Sequence, residues 1–157
     1  MTDKSELRCC DQLWREMSAK GLTLAALQTF YSRYKYLVMS RDLNCYRELG
    51  ALLATTGEEN LCALAERVRE LIVRALQQPS TRGGNTNALL HISGYLKKNL
   101  EPDERRALHD TIEQYHLGSV EFEAPLASLR AHFRRFPNSY IEQQLFLFPQ
   151  INSSVLA

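Results

Sequence analysis

No stretch of this chain approaches the roughly 18 consecutive apolar residues that a membrane-spanning helix needs, and its N-terminus, MTDKSELRCCDQLW, has no uninterrupted apolar run of the secretory kind. A cytoplasmic protein is therefore expected. Cysteine is scarce and badly spaced for metal: the four residues Cys9, Cys10, Cys45 and Cys62 form no C-x-x-C pair, and the adjacent Cys9 and Cys10 cannot easily ligate one ion together. Reduced structural thiols are the expectation, with no metal and no cofactor. Also missing are a Walker loop, a dinucleotide fingerprint, an H-E-x-x-H helix and a nucleophile elbow. The histidines at 91, 109, 116 and 132 have no metal-site spacing.

What remains is a chain of 157 residues, 45% hydrophobic and 24% charged, an ordinary composition for one globular domain with a real core. Helical period dominates and no run alternates polar with apolar for long enough to make a strand, so the fold class is all-α. Seven or eight helices in a single compact domain are expected. The first spans about 5 to 20 and stops at Gly21. A second starts at a capping Thr23, and Asp42 caps a third, 43 to 55, ending near Gly57. The fourth, about 59 to 78, carries the stripe Leu61, Leu64, Val68, Leu71, Ile72 and Leu76.

PSTRGGNT, residues 79–86, is the one convincing linker. A helix over 85–100 follows it, then one from Pro102 to about His116 with Gly118 beyond, then about 125–136 and about 138–147. This divides the chain into an N-terminal helix (1–22), a helical domain (23–150) and a tail (151–157).

On a wheel of about 100° per residue, Leu89, Ile92, Leu96 and Leu100 share one arc and make the core face of the 85–100 helix. Asn87, His91, Gly94 and Lys98 cluster nearly opposite, with Tyr95 on their flank. A solvated helix back would account for the polar residues. A mid-helix glycine, however, costs about 1 kcal/mol relative to alanine, which suggests close approach by a backbone or a ligand. A phosphate-rich partner would explain all four together.

Charge is segregated along the chain, although the net charge is only +1. Residues 79–100 hold Arg82, Lys97 and Lys98 and no acid, and residues 128–140 hold Arg130, Arg134 and Arg135 and no acid. Between them, 101–123 carries seven acids against Arg105 and Arg106. A basic face of the kind that phosphate backbones select can therefore exist on a nearly neutral protein. Arg130 and Arg134, one turn apart, could grip neighbouring phosphates, or could pair with the acids of the preceding helix. A secondary face interleaves Tyr31, Tyr34, Tyr36 and Tyr46 with Arg33, Lys35, Arg41 and Arg47. Stacking on bases or burial in the core would both explain those tyrosines.

N-x-L-x-H-I-S-G-Y-L-K-K from Asn87, then Glu104–Arg105, Tyr115, Gly118, Pro125, Leu129 and YIEQQLFLFP at 140–149, with FYSRYKYLVMS and YRELG, form a pattern. It resembles the YbgA-like family of bacterial proteins, from about Phe30 to Pro149. In longer relatives this module follows an iron-sulfur desulfidase domain acting on thiolated uracil bases, and there it is thought to hold tRNA carrying 4-thiouridine. The desulfidase domain and its cluster cysteines are missing from this chain. The resemblance thus implies a nucleic-acid-handling accessory module and carries over no catalytic residue. Two departures stand out: Tyr31 replaces a His found in many relatives, and INSSVLA replaces the usual charged end.

The leading expectation is a non-catalytic module that binds structured RNA, in particular tRNA, and is linked to thiolated-nucleoside metabolism. Its candidate contacts are Asn87, His91, Gly94, Tyr95, Lys97, Lys98, Arg130, Arg134 and Arg135, with Arg33, Lys35, Arg41 and Arg47 as the secondary face. The rivals are an adaptor that docks onto a separately encoded desulfidase or repair enzyme, with a helix against Gly94, and a small enzyme using His91 and Tyr95 for acid–base work.

Overall fold

The computed structural model describes residues 4–55 and 60–149. Eight α-helices and no strand occur among them: α1 (Lys4–Ala19), α2 (Leu24–Arg41), α3 (Leu43–Thr55), α4 (Leu61–Leu76), α5 (Arg82–Ser93), α6 (Pro102–His116), α7 (Glu123–Arg135) and α8 (Ser139–Glu142). A single 3-10 turn, Gly94–Leu96, extends α5. The proposed helix end at Gly57 and the 151–157 tail lie outside the described residues.

Helix ends follow local chemistry. Gly21 and Gly118, with φ of +104° and +82°, take the left-handed conformation that ends α1 and α6, a conformation glycine adopts at no steric cost. The Thr23 hydroxyl accepts from Ala26 N at 3.0 Å at the start of α2. Asp42 closes α2 and opens α3, its carboxylate accepting from Cys45 N at 2.9 Å. Pro102 stands in the first turn of α6.

The expected 79–86 linker is shorter than its composition suggests. Thr81 caps α5 by accepting from Gly84 N at 3.0 Å, so residues 82–86 are already helical. Gly84 is the reason: a Cβ there would lie 2.0 Å from the carbonyl oxygen of Ser40 on α2. Of the glycine pair that reads as a breaker, Gly84 therefore allows two helix backbones to touch, while Gly83 faces open space. At the other end, α-helical structure stops at Ser93, and the expected 138–147 helix is only Ser139–Glu142.

Helix α2 organises the molecule because its buried residues enter two separate cores. Leu27, Phe30, Tyr31, Tyr34 and Val38 enter a first core with α1, α3 and α4. Tyr36 and Met39 enter a second with α5 to α8, while Leu37 and Tyr46 touch both. The two cores form one compact domain, with α1 built into the first through Cys9, Cys10 and Leu13. The predicted core face of the 85–100 segment holds, since Leu89, Ile92, Leu96 and Leu100 are all buried in the second core.

Candidate nucleic-acid interface

Three of the arginines in the basic stretches, Arg130, Arg41 and Arg82, bond to backbone carbonyls of other elements. Arg130 donates through Nε to Leu147 O at 2.7 Å and pairs with Glu123 at 2.9 Å, tying the C-terminal segment to α7. Arg41 donates to Leu76 O at 2.9 Å, satisfying the C-terminal end of α4, and pairs with Glu6 at 2.7 Å. Arg82 donates to Tyr115 O and lies 4.8 Å over that ring. Arg33 borders the α1–α2 groove with Phe30 and Glu16, away from Lys35.

The two basic segments do meet, at the N-terminus of α6, but acids meet them there. Arg135 pairs with Glu104 at 2.6 Å, and Arg105 donates to Lys97 O at 2.7 Å. Glu104 also accepts from Glu101 N, and Arg106 pairs with Asp103 at 3.4 Å. The hydrogen bond from Arg135, then that from Glu101 N, hold the Glu104 carboxyl below its ordinary pKa. The charge segregation of the sequence is thus largely undone in space. Lys97, Lys98 and Arg134 stay exposed at this end.

Gly94 is not mid-helix, and no backbone from elsewhere among the described residues approaches it closely. It caps the C-terminus of α5, and a Cβ there would meet nothing within 4 Å. Mid-helix glycine logic applies better to Gly50, inside α3, whose Cβ would also meet open space. A bare glycine there gives up about 1 kcal/mol of helix propensity with no neighbour that requires it. Gly50 borders a cavity.

That cavity, about 420 Å³, opens between α2, α3 and α8. Tyr31, Tyr46 and Tyr140 line it, with Lys35 and Arg47 beside them. Its volume falls within the range of about 300–1,000 Å³ that small-molecule sites occupy. Tyr31 is 7% exposed, and its hydroxyl is buried with no hydrogen-bond partner. Burial, and then the neighbouring Tyr46 and Tyr140 hydroxyls, push its pKa well above the ordinary phenol value. A ledge adjoins the cavity: Tyr95, 42% exposed, stacks on Tyr140 with ring centroids 5.8 Å apart and planes 27° apart. The buried Tyr36 lies against Tyr95 from below, its hydroxyl pKa raised by burial first and then by the Tyr95 hydroxyl.

Gln144 places Tyr140. Fully buried, it donates to Ser32 O on α2 at 2.7 Å, and the next backbone amide, Leu145 N, donates to Arg33 O at 3.1 Å. Asn138 caps α8 by accepting from Ile141 N at 3.1 Å. The short helix is thereby pinned across α2, its ring facing both the ledge and the cavity. So the structure joins Tyr95 from the first candidate face to Lys35 and Arg47 from the second, through Tyr140. It leaves Arg33, Arg41 and Arg130 elsewhere. Tyr34 is core, stacked on Phe30. Asn87 is half-buried and His91 exposed. His91 and Tyr95 are both exposed, and Tyr95 is stacked on Tyr140.

A family model described as a protein of unknown function, DUF1722, matches residues 35–150, most of this chain. The chain belongs to that family. Over 134 residues it is 29% identical to the uncharacterised protein YbgA of Escherichia coli (strain K12), an alignment that covers 83% of this chain and 79% of that protein. No solved structure matches. The DUF1722 segment includes Lys35, Arg47, Gly50, Tyr95 and Tyr140, so the ledge lies within it, as does all of the cavity beyond the first half of α2.

Proposed function

We propose that this protein is a non-catalytic RNA-binding module. It holds RNA by stacking bases on the Tyr95–Tyr140 ledge while Lys35, Arg47, Lys97 and Lys98 meet the phosphates. One observation carries the reading: an exposed tyrosine stack with lysines two and three residues on from Tyr95, and with Lys35 and Arg47 in the adjoining cavity. Stacking platforms beside cations suit unpaired bases in loops and ends, which structured RNA such as tRNA displays. The connection to thiolated nucleosides rests on family resemblance, and comparing tRNA with and without 4-thiouridine tests it directly.

Filter binding of bulk tRNA over a salt series should show affinity falling steeply with salt, because phosphate contacts release counterions. Tyr95→Ala should weaken binding by about 1–3 kcal/mol, roughly five- to 150-fold, with little change in the salt slope. Lys98→Ala should instead flatten the slope by about 0.7–0.9. An affinity indifferent to salt, or no binding at low salt, would sink the proposal.

The adaptor reading has one observation in its favour: Leu90, 45% exposed, shares a groove with Gly94 and Leu100. If that groove receives a partner helix, Gly94→Trp should abolish co-purification with a desulfidase, while Tyr95→Ala and Lys98→Ala leave it intact.

A further inference from the structure

We infer that the Tyr31–Tyr46–Tyr140 cavity seats one unpaired nucleotide, its base against the rings and its phosphate on Lys35 and Arg47. This goes beyond the ledge and rests on the same RNA-binding surface. The chemistry of the walls selects the ligand. Three aromatic rings favour a flat heterocycle, and two cations with no carboxylate among the lining residues favour an anion attached to it. The nearest acid in sequence, Glu48, is turned to Arg67 on α4.

Two further features mark a site rather than a packing gap. The Tyr31 hydroxyl is a buried donor without an acceptor, as is that of Tyr34 in the core, and it bears on a ligand because Tyr31 borders this cavity. The hydroxyl is sealed from solvent, so a base must part Tyr46 from Tyr140 to bring a ring nitrogen or carbonyl oxygen to it as acceptor. Gly50 keeps the α3 wall low where any side chain would project into open space. Because Tyr140 belongs to both ledge and cavity, a strand stacked on Tyr95 delivers its neighbouring nucleotide to the cavity.

The test uses the full chain with three probes: the four ribonucleoside 5′-monophosphates, inorganic phosphate, and a single-stranded hexanucleotide carrying one 2-aminopurine. Calorimetry should show saturable binding of at least one monophosphate, with inorganic phosphate far weaker, and the hexanucleotide's 2-aminopurine fluorescence should change on insertion. Tyr31→Phe keeps the ring and should weaken monophosphate binding about five- to tenfold, the cost of one hydrogen bond, without lowering Tm. Gly50→Leu should block binding while holding or raising Tm. The proposal is overturned if no monophosphate binds, if neither variant changes binding, or if Tyr31→Phe lowers Tm, which would mean the hydroxyl is paired within the fold. The sources separate cleanly. Variant-sensitive monophosphate binding without hexanucleotide or tRNA binding keeps the cavity site, for a free nucleotide, and defeats the RNA reading. Binding of tRNA and hexanucleotide that ignores both variants defeats the cavity site and keeps the RNA reading.

Discussion

Gly84 differs physically from Gly50 and Gly94, and substitution separates it from them. Gly84→Ala would drive a methyl into the Ser40 carbonyl, a backbone atom that cannot swing aside, so α5 must move off α2. A loss of about 1–3 kcal/mol is expected, the cost of overpacking. At Gly50 and Gly94 the new methyl meets nothing, and the helical backbone accepts alanine, so stability should hold or rise by up to about 1 kcal/mol. Urea denaturation of the three variants measures all of this, and a Gly94→Ala loss as large as that of Gly84→Ala would contradict it. A mid-helix glycine in sequence signals an open side or a touching backbone without saying which. That depends on what lies opposite, and the Ser40 carbonyl is 44 residues away along the chain. For the same reason Tyr140 escaped notice as a site residue: its partners Tyr95, Tyr31 and Tyr46 come from three other elements.

Helix boundaries were legible wherever the cap is local, as at Thr23, Asp42, Pro102 and Gly118. They were not legible where a distant contact decides. Helix α8 is short because the buried Gln144 side chain and Leu145 N bond to α2 carbonyls instead of continuing the helix. Asp42 gives the element-scale prediction. Its carboxyl is held below its ordinary pKa, chiefly by the hydrogen bond from Cys45 N, against a smaller opposing effect of burial. A depressed folded-state pKa contributes stability above the unfolded carboxylate value of about 3.9, and that contribution is lost as pH falls through the lower folded value. Asp42→Ala should therefore cost about 1 kcal/mol at pH 7, an ordinary N-cap loss. The gap between variant and wild type should stay constant from pH 7 to about 5 and close as pH falls below the unfolded value of about 3.9. Guanidinium titrations at several pH values would reveal a gap that persists in acid, and with it an error in the capping account.

At the scale of the whole molecule, one helix serves two cores, and that arrangement bears on how the chain unfolds. Composition and period indicated an all-α domain and placed a division near residue 80. They could not show that α2, long before the division, packs on both sides of it. Charge misled at this scale too: runs that are basic or acidic along the chain interleave at the N-terminus of α6, so their linear sums do not survive folding. Because the cores share α2, neither can open without exposing the other, and a chain of this size should unfold in one transition. The cysteines make this measurable. Cys9, Cys10 and Cys45 are buried in the first core, with the Cys10 thiol pushed up to about 12 and Cys45 to about 11 chiefly by burial, while Cys62 is exposed. A thiol reagent at neutral pH should label Cys62 at once and the other three only on unfolding. Ile112→Ala empties space in the second core and should cost about 2–5 kcal/mol. If the cores are coupled through α2, it should shift the denaturant midpoint for labelling the first-core thiols as far as it shifts the loss of helical circular dichroism. A thiol midpoint that stays in place while helicity falls early would mean that the halves unfold independently and that α2 does not unite them.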